Sequence, residues 1–305
     1  PAGTGSATSP EDTLPRAGRS RFARSTCISA RPAAAAAAVA LALATVLLAA
    51  VARDAEATPR KDLYTDVGIV GLTVTNLGYF GHGWSFPHQP SCEYPLNSNV
   101  EHLYLGGIWV GAVAPDGSIR VSTGARDGQI LDIGDDITEF DPDTAVVWSN
   151  SQNSDAYDPR ALATQHVQLV FDDYKEDATG NHQPLGLRVI LRALAWSTPF
   201  ADDFVILDYA IVNISGAELR DVYVGLWLDT TVGNVENNDP YDPNAPQGWN
   251  FYDDCNGAWG AEDWVPGSHQ VDGDPGIWMC YEHDDDGDMG LATSWIGTRL
   301  LGTRP

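Results

Sequence analysis

Between residues 201 and 233 the chain reads ADDFVILDYAIVNISGAELRDVYVGLWLDTTVG, and no other stretch constrains the fold as strongly. Phe204, Ile206, Ala210 and Val212 share one face of an extended run, and Val205, Leu207, Tyr209 and Ile211 share the other. After a turn signal at Ile214-Ser215-Gly216-Ala217, Val222, Val224, Leu226 and Leu228 alternate with Tyr223 and Trp227. Alternation with period two, carried by β-branched and aromatic residues, is a strand pattern; a helix would scatter these side chains around its axis. Two such runs about a Ser-Gly turn predict a hairpin, and apolar residues on both faces predict that it is covered on both sides.

The flanking segments read the same way. Strands are expected at 66–76, 103–113, 118–123, 145–148 and 165–171, the second and third joined by a Pro115-Asp116-Gly117 turn. LGLRVILRALAW at 185–196 fits a helix through the spacing of Arg188 and Arg192, but Leu187, Val189, Leu191, Ala193 and Ala195 alternate and Pro199 follows, so a strand is expected. Four successive antiparallel strands then form a meander. Two more are expected at 277–282 and 291–301, with no long helix after residue 57. The reading is an all-β, antiparallel sandwich, one large or two intimately packed, with long Asp/Gly/Trp-rich loops and a possible sub-boundary near 150–163.

Residues 16–57 have the layout of an export signal. Arg16, Arg19, Arg21, Arg24 and Arg31 precede an uncharged apolar run at 33–52, and Ala55-Glu56-Ala57 or Ala50-Val51-Ala52 offers a cleavage site. A membrane anchor is the alternative, since about 20 apolar residues span a bilayer. The alanine-rich run and its small-residue end favour cleavage, hence a secreted or cell-surface protein with no membrane span afterwards. The first methionine is Met279, so the chain is expected to continue beyond both ends.

Residues 1–57 hold 6 of the 17 basic and 4 of the 42 acidic side chains, which leaves 11 basic and 38 acidic. Such an acidic protein repels nucleic acid and anionic lipid, and suits cations. The carboxylates crowd after Asp229, and Asp239, Asp284, Asp286 and Asp288 join it as expected oxygen ligands for calcium. Read as an EF-hand loop from Glu282, Asp284, Asp286 and Gly287 take the third, fifth and sixth positions, but the first is Glu and the twelfth is Thr293. A looser Asp-rich calcium turn is the expectation, against a plain solvated turn.

Trp249, Tyr252, Trp259 and Trp264 lie in the same tract and are read as ligand-binding, stacking on an extracellular or cell-surface glycan, or else as a small core under a long loop. Cys255 and Cys280 bracket it, and a disulfide between them would pin it, with Cys92 an alternative partner of either. His82, His88 and Cys92 match no common zinc spacing. No nucleophile elbow, zincin helix, P-loop or dinucleotide fingerprint occurs, and no catalytic residue is assigned. Asp202, Asp203, Asp208 and Asp229 stand out only as carboxylates at or in strands that look buried.

The strings PSCEYP from Pro90, EHLYLGGIWVGAV from Glu101, PLGLRVILRALAWSTPFADDFVILDYAIVNISG from Pro184 and DVYVGLWLDTTVG from Asp221 resemble a group of secreted β-rich proteins of environmental Gram-negative bacteria. Many of these end in a type IX secretion sorting domain or a similar cell-surface tail. The resemblance implies export and a β-rich ectodomain and carries no catalytic motif. The expected function is a secreted or cell-surface non-enzymatic β-sandwich protein stabilised by calcium. The alternative is a secreted carbohydrate-active enzyme or carbohydrate-binding module.

Overall fold

Strand patterning decides the architecture. The computed structural model describes residues 59–83, 89–125, 138–175, 181–234, 254–259, 279–284 and 292–304, and every regular element in them is a β-strand. In chain order these are β1 (Asp62–Tyr64), β2 (Gly71–Thr75), β3 (Tyr79–Gly81), β4 (Cys92–Glu93), β5 (Val100–Val113), β6 (Ile119–Thr123), β7 (Asp141–Trp148), β8 (Gln165–Asp172), β9 (Leu187–Ala195), β10 (Ile206–Asn213), β11 (Arg220–Asn234), β12 (Cys255–Trp259), β13 (Met279–His283) and β14 (Trp295–Arg299). They build an antiparallel seven-stranded sheet in the order β1-β2-β3-β5-β11, with β4 and β6 also on β5. A four-stranded sheet runs β10-β9-β8-β7, and a three-stranded sheet β12-β13-β14.

The first two sheets form the sandwich. Val74, Phe80, Leu103, Ile108 and Val110 of one meet Val167, Leu169, Phe171, Leu187, Val189 and Leu191 of the other in a single buried cluster. Phe140 and Phe171 meet edge to face at 5.1 Å. On the outer face of the second sheet, Arg192 donates to Asp208 at 2.7 Å, and Arg188 lies 3.6 Å from Asp143. This settles the helix-or-strand ambiguity at 187–195: the arginines alternate with the core residues, as period two demands. Residues 150–163 join β7 to β8, neighbours within one sheet.

The expected hairpin at 201–233 is not made. Among the described residues β10 pairs with β9 alone, and β11 pairs with β5 in the opposite sheet. The link between them is therefore an arch from one layer to the other. Asn213 closes it, its side chain donating to the Ala217 carbonyl (2.7 Å) and accepting from the Ser215 amide (3.0 Å). Nor is this stretch covered on both sides. Val224 and Leu226 share a face with their partners Val110 and Ile108, which are wholly buried, yet Val224 is 55% exposed. The sandwich is open along its β10/β11 side among the described residues.

The third sheet leans on the first through side chains. Thr230 Oγ1 donates to Glu282 Oε2 (2.6 Å), the Val232 amide donates to Asp254 Oδ2 (2.9 Å), and His102 Nε2 is hydrogen-bonded to Ser294 Oγ (2.9 Å). Ile296 packs against the main core.

Candidate functional site

The buried carboxylates show what their neighbourhoods are for. Asp173 is fully buried just beyond β8, at the mouth of the β8–β9 connection. Its Oδ1 accepts from the amides of Gly186 (3.1 Å) and Leu187 (2.6 Å), and its Oδ2 from the Leu185 amide (2.7 Å) and the Ser122 hydroxyl (2.7 Å). Gly186 has φ +78°, so successive amides converge as in an anion-binding nest. Because Ser122 belongs to β6, Asp173 also ties the two layers together.

Glu93 and Glu101 face each other across β4 and β5, both buried. Both also accept from backbone amides. Glu101 accepts from the amides of Ser91 (3.0 Å) and Cys92 (2.7 Å), and Glu93 from the Asn99 amide (2.6 Å). Burial, helped by the neighbouring Glu93 and opposed by the two amides, pushes the Glu101 carboxyl up to about 8. The pair holds the 91–99 loop against β5. Nearby, burial pulls the His102 imidazole down to about 4, and it sits edge-on to Tyr94. Of the weighed zinc set, His82 Nε2 donates to the Gln89 carbonyl (2.6 Å), Cys92 packs against the core, and His88 lies outside the described residues.

The expected calcium ligands divide. Asp284 is buried just beyond β13, and its Oδ2 accepts from the Ala292 amide (2.7 Å). Asp229 lies on β11 opposite Leu105 and its charge raises the Tyr104 phenol, after burial. Asp239, Asp286 and Asp288 fall outside the described residues. Among those described, no group of three or more His, Cys, Asp or Glu side chains converges on one point. Asp208, read as a strand carboxylate that looked buried, instead faces outward to Arg192.

The expected Cys255–Cys280 disulfide is not formed. Cys255 pairs with His283 and Cys280 with Ala258, three positions along β13, so the two side chains project from opposite faces of the ribbon. Such positions cannot bring the Cα atoms within the roughly 7 Å that a bond requires. Trp249, Tyr252 and Trp264 lie outside the described residues, and Trp259 is placed by its backbone alone, opposite Met279.

A different aromatic group emerges on the outward face of the third sheet, missed in the sequence because its members are dispersed. Tyr281 and His283 alternate on β13, and Trp295 pairs with His283 across β14. The Tyr281 and His283 rings are 6.4 Å apart and within 19° of coplanar. Trp295 stacks 4.1 Å from His283 at 15° and 5.3 Å from Tyr281 at 28°. The indole therefore lies across a floor made by the other two rings. His283 Nδ1 donates to the Asp284 carbonyl (2.9 Å), which fixes the imidazole. Gly257 lies beneath Tyr281, where a Cβ would come within 2.5 Å of the phenol oxygen.

Comparison with protein-family models, with curated proteins and with solved structures finds no match. Among the described residues, no helix is long and apolar enough to cross a membrane.

Proposed function

We propose that this is a secreted or cell-surface, non-enzymatic β-sandwich protein. The observation that carries the reading is the occupation of the buried carboxylates among the described residues: Asp173, Glu93, Glu101 and Asp284 each accept from backbone amides, and Glu282 accepts from the Thr230 hydroxyl. General acid–base chemistry needs carboxyls within reach of a substrate proton, and these are committed to the fold. The export layout of 16–57, the acid surplus and the resemblance to secreted proteins of Gram-negative bacteria support an extracellular site of action. Their sorting tails make type IX secretion the route to examine.

Calcium binding at the acidic tract around Asp284, Asp286 and Asp288 belongs to the same reading, because these alternating carboxylates offer the hard oxygen ligands that calcium takes. A ligand present at about 100 times its Kd adds about 2.7 kcal/mol. Millimolar calcium is expected to raise the melting temperature of the chelator-treated protein by several degrees; no shift refutes the calcium assignment. Fractionation of the native host is expected to place the protein in the medium or on the cell surface. Release of reducing sugar from a broad glycan panel would refute the non-enzymatic reading. Carbohydrate binding without hydrolysis is the second reading, favoured by the outward aromatic group of β13 and β14.

A further inference from the structure

We propose that Trp295 is a sugar-stacking plate that receives the flat face of a neutral hexopyranose residue in an extracellular polysaccharide. This rests on the non-catalytic extracellular reading and names the ligand class and the residue that meets it. An indole with one face against two parallel rings has only its other face and its rim left for solvent. Trp295 is nonetheless 52% exposed, so that second face is open. The π face carries negative charge density and the axial C–H groups of a pyranose carry the complementary positive edge, so ring and sugar attract while water is displaced. His283 and Tyr281 hold the indole before any ligand arrives, which reduces the ordering cost of binding.

The surroundings fit such an occupant. The next outward position on β14 is Gly297, which has no side chain to shield the plate. Met279 runs beside it, its sulfur 2.8 Å from where a Gly297 Cβ would stand, and extends the apolar strip. Arg299 follows, exposed, with a fork of donors suited to hydroxyl groups. The charge of the chain, 42 acidic against 17 basic side chains, repels nucleic acids and acidic glycans and leaves neutral polymers as the complementary class.

The test is depletion of the full chain by suspended cellulose, chitin, mannan and galactan. Retention on at least one polymer is expected. Trp295→Ala is expected to weaken it at least tenfold, Trp295→Tyr to keep most of it, and Trp196→Phe, away from the plate, to leave it unchanged. No retention on any of the four, or retention that Trp295→Ala changes less than twofold, overturns the proposal. Should Trp295→Ala not fold, the chain labelled with 5-fluorotryptophan supplies the readout. The Trp295 resonance, assigned by its absence in Trp295→Phe, must move when a soluble oligosaccharide of the retained polymer is added; a stationary resonance overturns the proposal. Hydrolysis of the polymer would refute the non-enzymatic reading while leaving the plate standing, so the two failures are distinguishable.

Discussion

Replacing Asp173 by alanine removes the acceptor of four hydrogen bonds at once: three amides from 185–187 and the Ser122 hydroxyl. Bonds to a charged acceptor contribute about 1.5–3 kcal/mol each, and a buried donor left without a partner costs about 1–3 kcal/mol. The loss is moderated because the variant no longer buries a charge. The expected net cost is about 3–5 kcal/mol, since several buried donors lose their acceptor at once. In a domain of this size each kcal/mol moves the melting temperature by about 2–4 °C, so a fall of roughly 10 °C is expected by calorimetry or circular dichroism. Asp173→Asn keeps one acceptor oxygen but turns an N–H toward donors, and should fall about halfway. Asp116→Ala, which removes an exposed turn carboxylate paired with Arg120, is the control and should leave the melting temperature nearly unchanged. A drop of less than about 3 °C for Asp173→Ala would refute the inter-layer role assigned to this carboxylate.

Glu101 gives a pH signature. Its carboxyl stays protonated in the folded chain up to about 8, whereas in the unfolded chain it ionises near the ordinary value of about 4.3. Between those values the folded state holds the extra proton, so this group's contribution to stability declines as pH rises through the window and is constant above it. Glu101→Gln cannot ionise; its melting temperature relative to wild type should climb from pH 5 to 8.5, and a flat difference refutes the assignment. The open side of the sandwich predicts unequal costs for equal truncations: Val110→Ala should cost about 1.5–3 kcal/mol and its cross-strand neighbour Val224→Ala about 0.5 kcal/mol or less. Denaturant melts giving equal values would show that Val224 is covered in solution.

Local pattern made β5, β6, β8 and β9 legible because alternation records which residues face a neighbouring layer, whichever strand supplies it. The Leu187–Ala195 strand survived its helix-like arginine spacing for that reason. Pairing was not legible. A hairpin and an arch both need two apolar strands and a polar link, and nothing in Ile214 to Ala217 distinguishes them; the choice of partner for β11 is made by β5, far upstream. β12 escaped notice because Cys255-Asn256-Gly257-Ala258-Trp259 is poor in strand formers and is held by pairing with β13. Asp173 sat in what reads as a polar turn, and its role depends on three amides that converge only once Gly186 adopts a positive φ. The aromatic floor under Trp295 escaped because it needs cross-strand register between residues 281–283 and 295. The tract at 249–264, by contrast, is conspicuous in sequence through its density of tryptophan alone.

The partnership of β5 and β11 has a consequence for how the molecule comes into being. It joins Val113 to Arg220 and Val100 to Asn234, positions more than a hundred residues apart. Closing so long a stretch of chain must precede any reward from the pairing, which places this protein among slow, topology-limited folders. Until the ribosome has passed Asn234, the longest upstream strand lacks its mate along one whole edge. A polypeptide that cannot complete its largest layer early leaves that edge open to the wrong strands for as long as the intervening chain takes to arrive.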